Sequence, residues 1–275
     1  MIPDTTTPRT DGDDTGPVPA QAAASLQGRA VLVVGCRGRM GAMLCRRGTA
    51  AGLDMRGVDV PLTDAVLAPA CKDAALVLLC VPAAVFADVA ATVCAHLPAT
   101  AILADITSVK VRPLQQMEAI WPGPVVGTHP LFGPATPDED GLPVTVTPGR
   151  TAREEDTALV EAFFRALGCG TFRATADEHD RAMARVQNMN FITNLAYFAL
   201  LAGQEDLLPY ITPSFRRRLH AAEKMLTEDG TMFTGLFEAN PYSHEAVRQY
   251  RKMLNVAAAG DIELLCRRAQ WWWKK

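Results

Sequence analysis

From Arg29 onward the chain alternates short apolar runs with stretches of mixed polarity, the pattern of strands wound through helices. Ala30-Val31-Leu32-Val33-Val34 is an unbroken, β-branched run that stops at Gly35. A strand buried on both faces of a parallel sheet reads this way. Met55–Val60, Ala75–Val81, Thr100–Ile106 and Val125–Gly127 repeat the signal, and residues 144–147 and 170–173 predict two more strands. Met40–Ala51, Val85–His96 and residues 154–167 have helical character. The alternation predicts an α/β fold with a doubly wound, mostly parallel sheet.

After Ala176 the strand signals nearly vanish, and residues 177–203, 213–228, 241–258 and 261–275 read as helices. The first is apolar around much of its circumference, through Met183, Val186, Met189, Phe191, Ile192, Leu195, Phe198 and Leu200. A helix apolar over more than one stripe is buried by more than one neighbour, so an all-helical domain that also forms a homodimer is expected. Trp271-Trp272-Trp273 is expected to cap the helical core or to line the dimer seam. The first 27 residues, rich in Thr, Asp, Pro, Gly and Ala, read as a disordered tail without the basic start and apolar stretch of a secretory signal. The organisation is therefore a tail (1–27), an α/β domain (28–176) and a helical domain (177–275).

A net charge of -3 argues against nucleic acid or an anionic membrane as partner. No apolar run is long and uninterrupted enough to span a bilayer. The seven cysteines are scattered without CxxC pairs or metal-ligand spacing, so no metal centre is expected. Reduced thiols of a cytoplasmic protein are the reading that fits them.

The chemistry is concentrated in two places. Gly35, Gly38 and Gly41 follow the first strand and open a helix. Glycines there allow a tight turn and a close backbone approach to a pyrophosphate, which the helix N-terminus attracts. Asp59 lies 24 residues after Gly35, where a carboxylate can hydrogen-bond ribose hydroxyls and repels a 2′-phosphate. This favours NAD as cofactor on a Rossmann domain. Ser108 follows the fourth strand, and His129 is expected in a Gly/Pro-rich loop after the fifth, so both are expected at the ligand-binding edge of the sheet. Histidine can exchange a proton near neutral pH.

Gly35-x-x-Gly38-x-Met40-Gly41, Leu79-x-Val81-Pro82, Asp105-x-x-Ser108-Val109-Lys110, Gly127-x-His129-Pro130-x-Phe132-Gly133-Pro134 and Glu178-His179-Asp180 occur in this order. Over residues 29 to 273 the chain resembles the prephenate dehydrogenases. The resemblance implies a Rossmann domain followed by a helical dimerisation domain, with Arg37, Arg39, Met40, Val81 and Pro82 joining the three glycines and Asp59 around the cofactor. It implies oxidative decarboxylation of prephenate to 4-hydroxyphenylpyruvate, with His129 as base, Ser108 hydrogen-bonded to it, and Lys110 either a positioning cation or a solvated helix-start lysine. Lys224 matches the position of a substrate-gripping arginine, with Arg217 on the same helical face and Arg216 beside it. Gln187 and Phe191 occupy the segment where family members carry a substrate-binding histidine. Because that pocket is altered, 4-amino-4-deoxyprephenate is an alternative substrate, and arogenate a further one. A catalytically silent, NAD-binding dimer is the alternative from another class.

Overall fold

The computed structural model describes residues 26–137 and 142–274. Residues 1–25, most of the expected tail, lie outside the described residues. The tail is nevertheless shorter than expected, because Leu26 is buried in the sheet core and its carbonyl accepts the Arg29 N–H at 3.0 Å. The chain divides into two compact units, and the division falls between His179 and Asp180, inside a helix rather than ahead of it.

The first unit contains β1 (Ala30–Val34), α1 (Arg39–Ala50), β2 (Met55–Val58), α2 (Asp64–Cys71), β3 (Ala74–Leu79), α3 (Phe86–Cys94), β4 (Ile102–Asp105) and α4 (Val111–Ile120). It continues through β5 (Val125–Pro130), β6 (Pro143–Pro148), α5 (Glu154–Ala166) and β7 (Gly170–Arg173). All seven expected strands form one sheet in the order β2-β1-β3-β4-β5-β6-β7. The pairs from β2 through β5 are parallel, β6 runs antiparallel to β5, and β7 is parallel to β6. The chain leaves β1 for β2 on one side and returns to β3 on the other, which makes the carboxyl ends of β1 and β3 a topological switch point.

Strand side chains alternate between faces, so the apolar runs fill two layers at once. Val31, Val33, Leu76 and Leu78 pack with Leu44, Phe163 and Phe164 on one side. Leu32, Val34, Val77 and Leu79 pack with Phe86, Leu114, Met117 and Trp121 on the other. Each fully buried Leu or Phe contributes about 1.5–3 kcal/mol. In register, Val34 pairs with Leu79, Leu79 with Asp105, and Asp105 with Gly127. This row is the edge on which the site is built. One expectation is corrected here: β5 runs through Pro130, so His129 is a strand residue opposite Thr145 of β6 and does not lie in a loop.

Helix α6 (Ala176–Met183) spans the division between the units. The helical unit continues through a π-helical turn at Ala184–Asn188, α7 (Met189–Leu200), α8 (Pro213–Thr227), α9 (Gly230–Ala239), α10 (Ser243–Ala258) and α11 (Ile262–Ala269). Its buried cluster is small: Ala184, Met189 and Ala246, with Tyr242 and Val247 against them. Val186, Leu195, Leu200, Leu208 and Tyr210 are exposed. The three tryptophans form a short 3-10 turn and are 51–67% exposed, so they do not cap the helical core. Among the described residues, no helix is long and apolar enough to cross a membrane.

Candidate active site

The glycine turn is a constructed feature. Gly35 has φ +88°, and a Cβ there would stand 2.5 Å from the Cys80 carbonyl oxygen, on the strand end across the switch point. A Cβ on Gly41 would stand 2.2 Å from the Gly35 carbonyl oxygen, so only glycine lets α1 begin this close to the turn. Gly38 is the N-cap of α1, where no side chain caps the helix and its first turn holds no acidic residue. No carboxylate therefore competes for the positive end of α1, which suits a ligand anion such as a pyrophosphate. Asp59 accepts the Arg37 N–H at 2.9 Å and the Val60 N–H at 2.8 Å, which fixes its carboxylate beside the turn. A carboxylate has about four acceptor positions, so capacity remains for hydroxyl donors. Arg37 and Arg39 are exposed, Met40 is half-buried, and Val81 and Pro82 follow β3 past the same edge.

Two and three strand spacings from β1, about 10 and 14 Å, β4 and β5 carry a buried polar network. Lys110, at the N-cap of α4, is fully buried; its Nζ donates to Asp105 Oδ2 at 2.5 Å and to the Thr128 carbonyl at 2.6 Å. It is therefore not a solvated helix-start lysine. Asp105 Oδ2 also accepts the Thr107 N–H (2.8 Å) and the Thr107 hydroxyl, whereas Asp105 Oδ1 is buried without a partner. Gly127 packs closely against this pair: a Cβ there would stand 3.1 Å from Lys110 Cδ and 3.3 Å from Leu114 Cγ, so both side chains would have to give way slightly. The network thus clamps the backbone one residue before His129.

His129 is 4% exposed, and its Nδ1 lies 2.9 Å from Nε2 of His179, which is 3% exposed. Burial holds the His129 imidazole well below its ordinary pKa, and the adjacent His179 and Lys110 push in the same direction. A histidine held neutral in this way can accept a proton. Ser108 is half-buried and, unlike the expectation, makes no hydrogen bond to His129; the partner of His129 is His179. His179 was visible only as one member of the Glu178-His179-Asp180 cluster. The usable signal stood just ahead of it: Thr175-x-x-Glu178 forms a capping box, with Glu178 N–H donating to Thr175 Oγ1 (3.2 Å) and Thr175 N–H to Glu178 Oε2 (2.9 Å).

The expected substrate residues lie in the helical unit. Lys224 on α8 is exposed and 3.9 Å from Asp229, and Arg216 and Arg217 are exposed on the same helix. Phe191 is buried and stacked on Phe233, with ring centroids 5.4 Å apart. Gln187 lies on the π-helical turn, a feature frequent at functional sites, and its Oε1 is buried without a hydrogen-bond partner. In the same unit, Asn188 Nδ2 donates to Ser243 Oγ and Asn240 Nδ2 to the Asp180 carbonyl, both at 2.8 Å.

The fold and the glycine turn define a dinucleotide-binding α/β unit. Residues 48–170 match the family model described as prephenate dehydrogenase, nucleotide-binding domain. The match contains Asp59, Asp105, Lys110 and His129; the glycine turn lies before it and His179 after it. Curated relatives agree. A T-protein of Enterobacter agglomerans is 28% identical over 238 residues, covering 84% of this chain and 62% of the relative. A cyclohexadienyl dehydrogenase of Zymomonas mobilis is 27% identical over 212 residues, covering 71% and 72%. The chain thus spans about three fifths of the length of the T-protein it matches. The fold is shared with Synechocystis arogenate dehydrogenase (TM-score 0.71, 21% identity, 88% and 96% covered). It is shared equally with Aquifex aeolicus prephenate dehydrogenase solved with hydroxyphenyl propionate and NAD+ (TM-score 0.71, 21% identity, 90% and 93% covered).

Proposed function

We propose that the protein is an NAD-dependent dehydrogenase that oxidatively decarboxylates a prephenate-type cyclohexadiene, with prephenate as substrate. The observation that carries this reading is a buried histidine on the same sheet edge as a glycine turn that packs against the strand end across the switch point and opens a helix with no capping side chain. Gly35, Gly38 and Gly41 hold the pyrophosphate of NAD, with Arg37, Arg39, Met40, Val81 and Pro82 around it and Asp59 on the ribose hydroxyls. NAD, when held there, would supply the acceptor for the hydride lost from the ring carbon. His129 accepts the proton of the hydroxyl on that carbon and returns it to the phenolate formed as the ring carboxylate leaves as carbon dioxide. Lys110 and Asp105 hold the β5 backbone so that the imidazole meets the substrate in one orientation. Ser108, half-buried after β4, hydrogen-bonds the reacting oxygen. A dicarboxylate needs cationic partners, and Lys224, Arg216 and Arg217 supply them.

The exposed apolar side chains of Val186, Leu195 and Leu200 support a homodimer through the helical unit. A second substrate reading has its own support. Phe191 puts an apolar stack where the family carries a histidine, which suits 4-amino-4-deoxyprephenate. The test is kcat/KM with NAD for prephenate, arogenate and the amino analogue, read as NADH formation. The highest value is expected for prephenate; a higher value for the amino analogue would move the assignment to it. No turnover of any of the three would leave the silent dimer.

A further inference from the structure

The dehydrogenase reading assigns His129 its base role but leaves open which of its two nitrogens is the base. We propose that His179 is a positioning residue that fixes this: its Nε2 accepts the Nδ1–H of His129, leaving Nε2 of His129 without a proton and able to receive one. The inference deepens the proposed function and rests on it.

Two neutral imidazoles joined through one nitrogen each can share only one hydrogen, so two arrangements exist. If His179 donates, Nε2 of His129 carries the ring proton and cannot act as a base. If His129 donates, Nε2 is the acceptor. The 2.9 Å contact between Nδ1 of His129 and Nε2 of His179 commits these two atoms to each other, with the ring planes at 72° and the centroids 5.1 Å apart. Base action at His129 therefore requires His179 as acceptor. The logic is that of a base oriented by a third group, with a neutral ring in place of a carboxylate.

Both ends of the contact are built to hold still. His129 is anchored in β5 by pairing with β6, and the Lys110 ammonium grips the carbonyl of Thr128. His179 is set by the Thr175–Glu178 capping box and by its own N–H, which donates to the Thr175 carbonyl at 3.0 Å. A neutral acceptor fixes the tautomer without strongly stabilising an imidazolium. The proton taken up by His129 is therefore released again within the cycle. A second proton on the pair would set two N–H groups against each other at 2.9 Å, so His179 must also be neutral at Nε2 in the active form. The titratable groups that act on His129 are His179 and Lys110, the latter held by Asp105.

The test compares His179→Leu and His179→Gln with the wild type. Leucine removes the acceptor, and kcat is expected to fall about 10²-fold while the substrate KM and the NAD Kd stay within about twofold. Glutamine can present a carbonyl oxygen as acceptor and is expected to recover most of kcat. Nitrogen-15 NMR of the wild-type histidines is expected to show His129 protonated at Nδ1, a readout that holds even if the leucine variant fails to fold. Wild-type kcat in His179→Leu across the pH range, or an Nε2–H tautomer at His129, would overturn the proposal. An active His129→Asn would instead overturn the base reading beneath it, so the two failures are distinguishable.

Discussion

The two units of the chain close their cores in different ways. The sheet unit buries its strands on both faces, and even its ionic pair, Lys110 and Asp105, is sealed from solvent. The helical unit has a buried cluster of three small or flexible side chains and leaves Val186, Leu195, Leu200, Leu208 and Tyr210 in the open. A parallel sheet receives its covering helices from its own connections, so its apolar runs are satisfied within one chain. A helix has only one stripe for its own neighbours, and any further apolar surface waits for another molecule. The proposed proton acceptor thus sits in the self-contained unit, and the proposed surface for association in the other.

Substitutions can break this contrast, and the largest effect is expected at Gly41. Gly41→Ala forces a methyl into the Gly35 carbonyl and should cost more than about 3 kcal/mol, read as a loss of denaturant midpoint together with loss of NAD binding. Next is Lys110→Met, which leaves Asp105 buried without its cation and should cost about 3–5 kcal/mol. A stability unchanged by Lys110→Met would show that the pair is hydrated.

The third prediction concerns pH. The folded-state pKa of His129 is depressed, so between that value and the unfolded value near 6.5 the unfolded chain binds more protons. Stability from this group is then complete above about pH 6.5 and is lost as pH falls toward the folded pKa. The acid limb of kcat/KM should likewise lie below the ordinary imidazole range, and His129→Gln should flatten the acid side of the stability profile. The smallest effect is expected on the helical face. Leu200→Glu should change unit stability by less than about 0.5 kcal/mol yet convert a dimer to a monomer in sedimentation. A monomeric wild type would contradict that assignment.

Much of the sheet was legible because buried parallel strands are uninterrupted apolar runs, as in Ala30–Val34 and Ala74–Leu79. Helices α2 and α4 were not, since each is short and contains a proline. Pro113 is tolerated in the first turn of α4, where its missing N–H would have had no partner. His129 read as a loop residue because Gly127 and Pro130 flank it, whereas its strand is completed by β6, whose antiparallel pairing leaves no local mark. Gly127 packs against the Lys110–Asp105 pair within β5 and does not mark a turn. The glycine turn was readable from its spacing, but the contact between His129 and His179 was not. His179 is 50 positions from His129, and only the fold joins them.

The central claim is that His129 is the proton acceptor of a hydride-transfer site. His129→Asn keeps a polar side chain of similar reach but removes the basic nitrogen, so the most direct measurement is its steady-state kinetics with NAD and prephenate beside its NAD affinity by titration. A kcat/KM lower by about 10³-fold is expected, with the NAD Kd within about twofold of wild type. Near-wild-type kcat/KM in a folded, NAD-binding His129→Asn protein would contradict it.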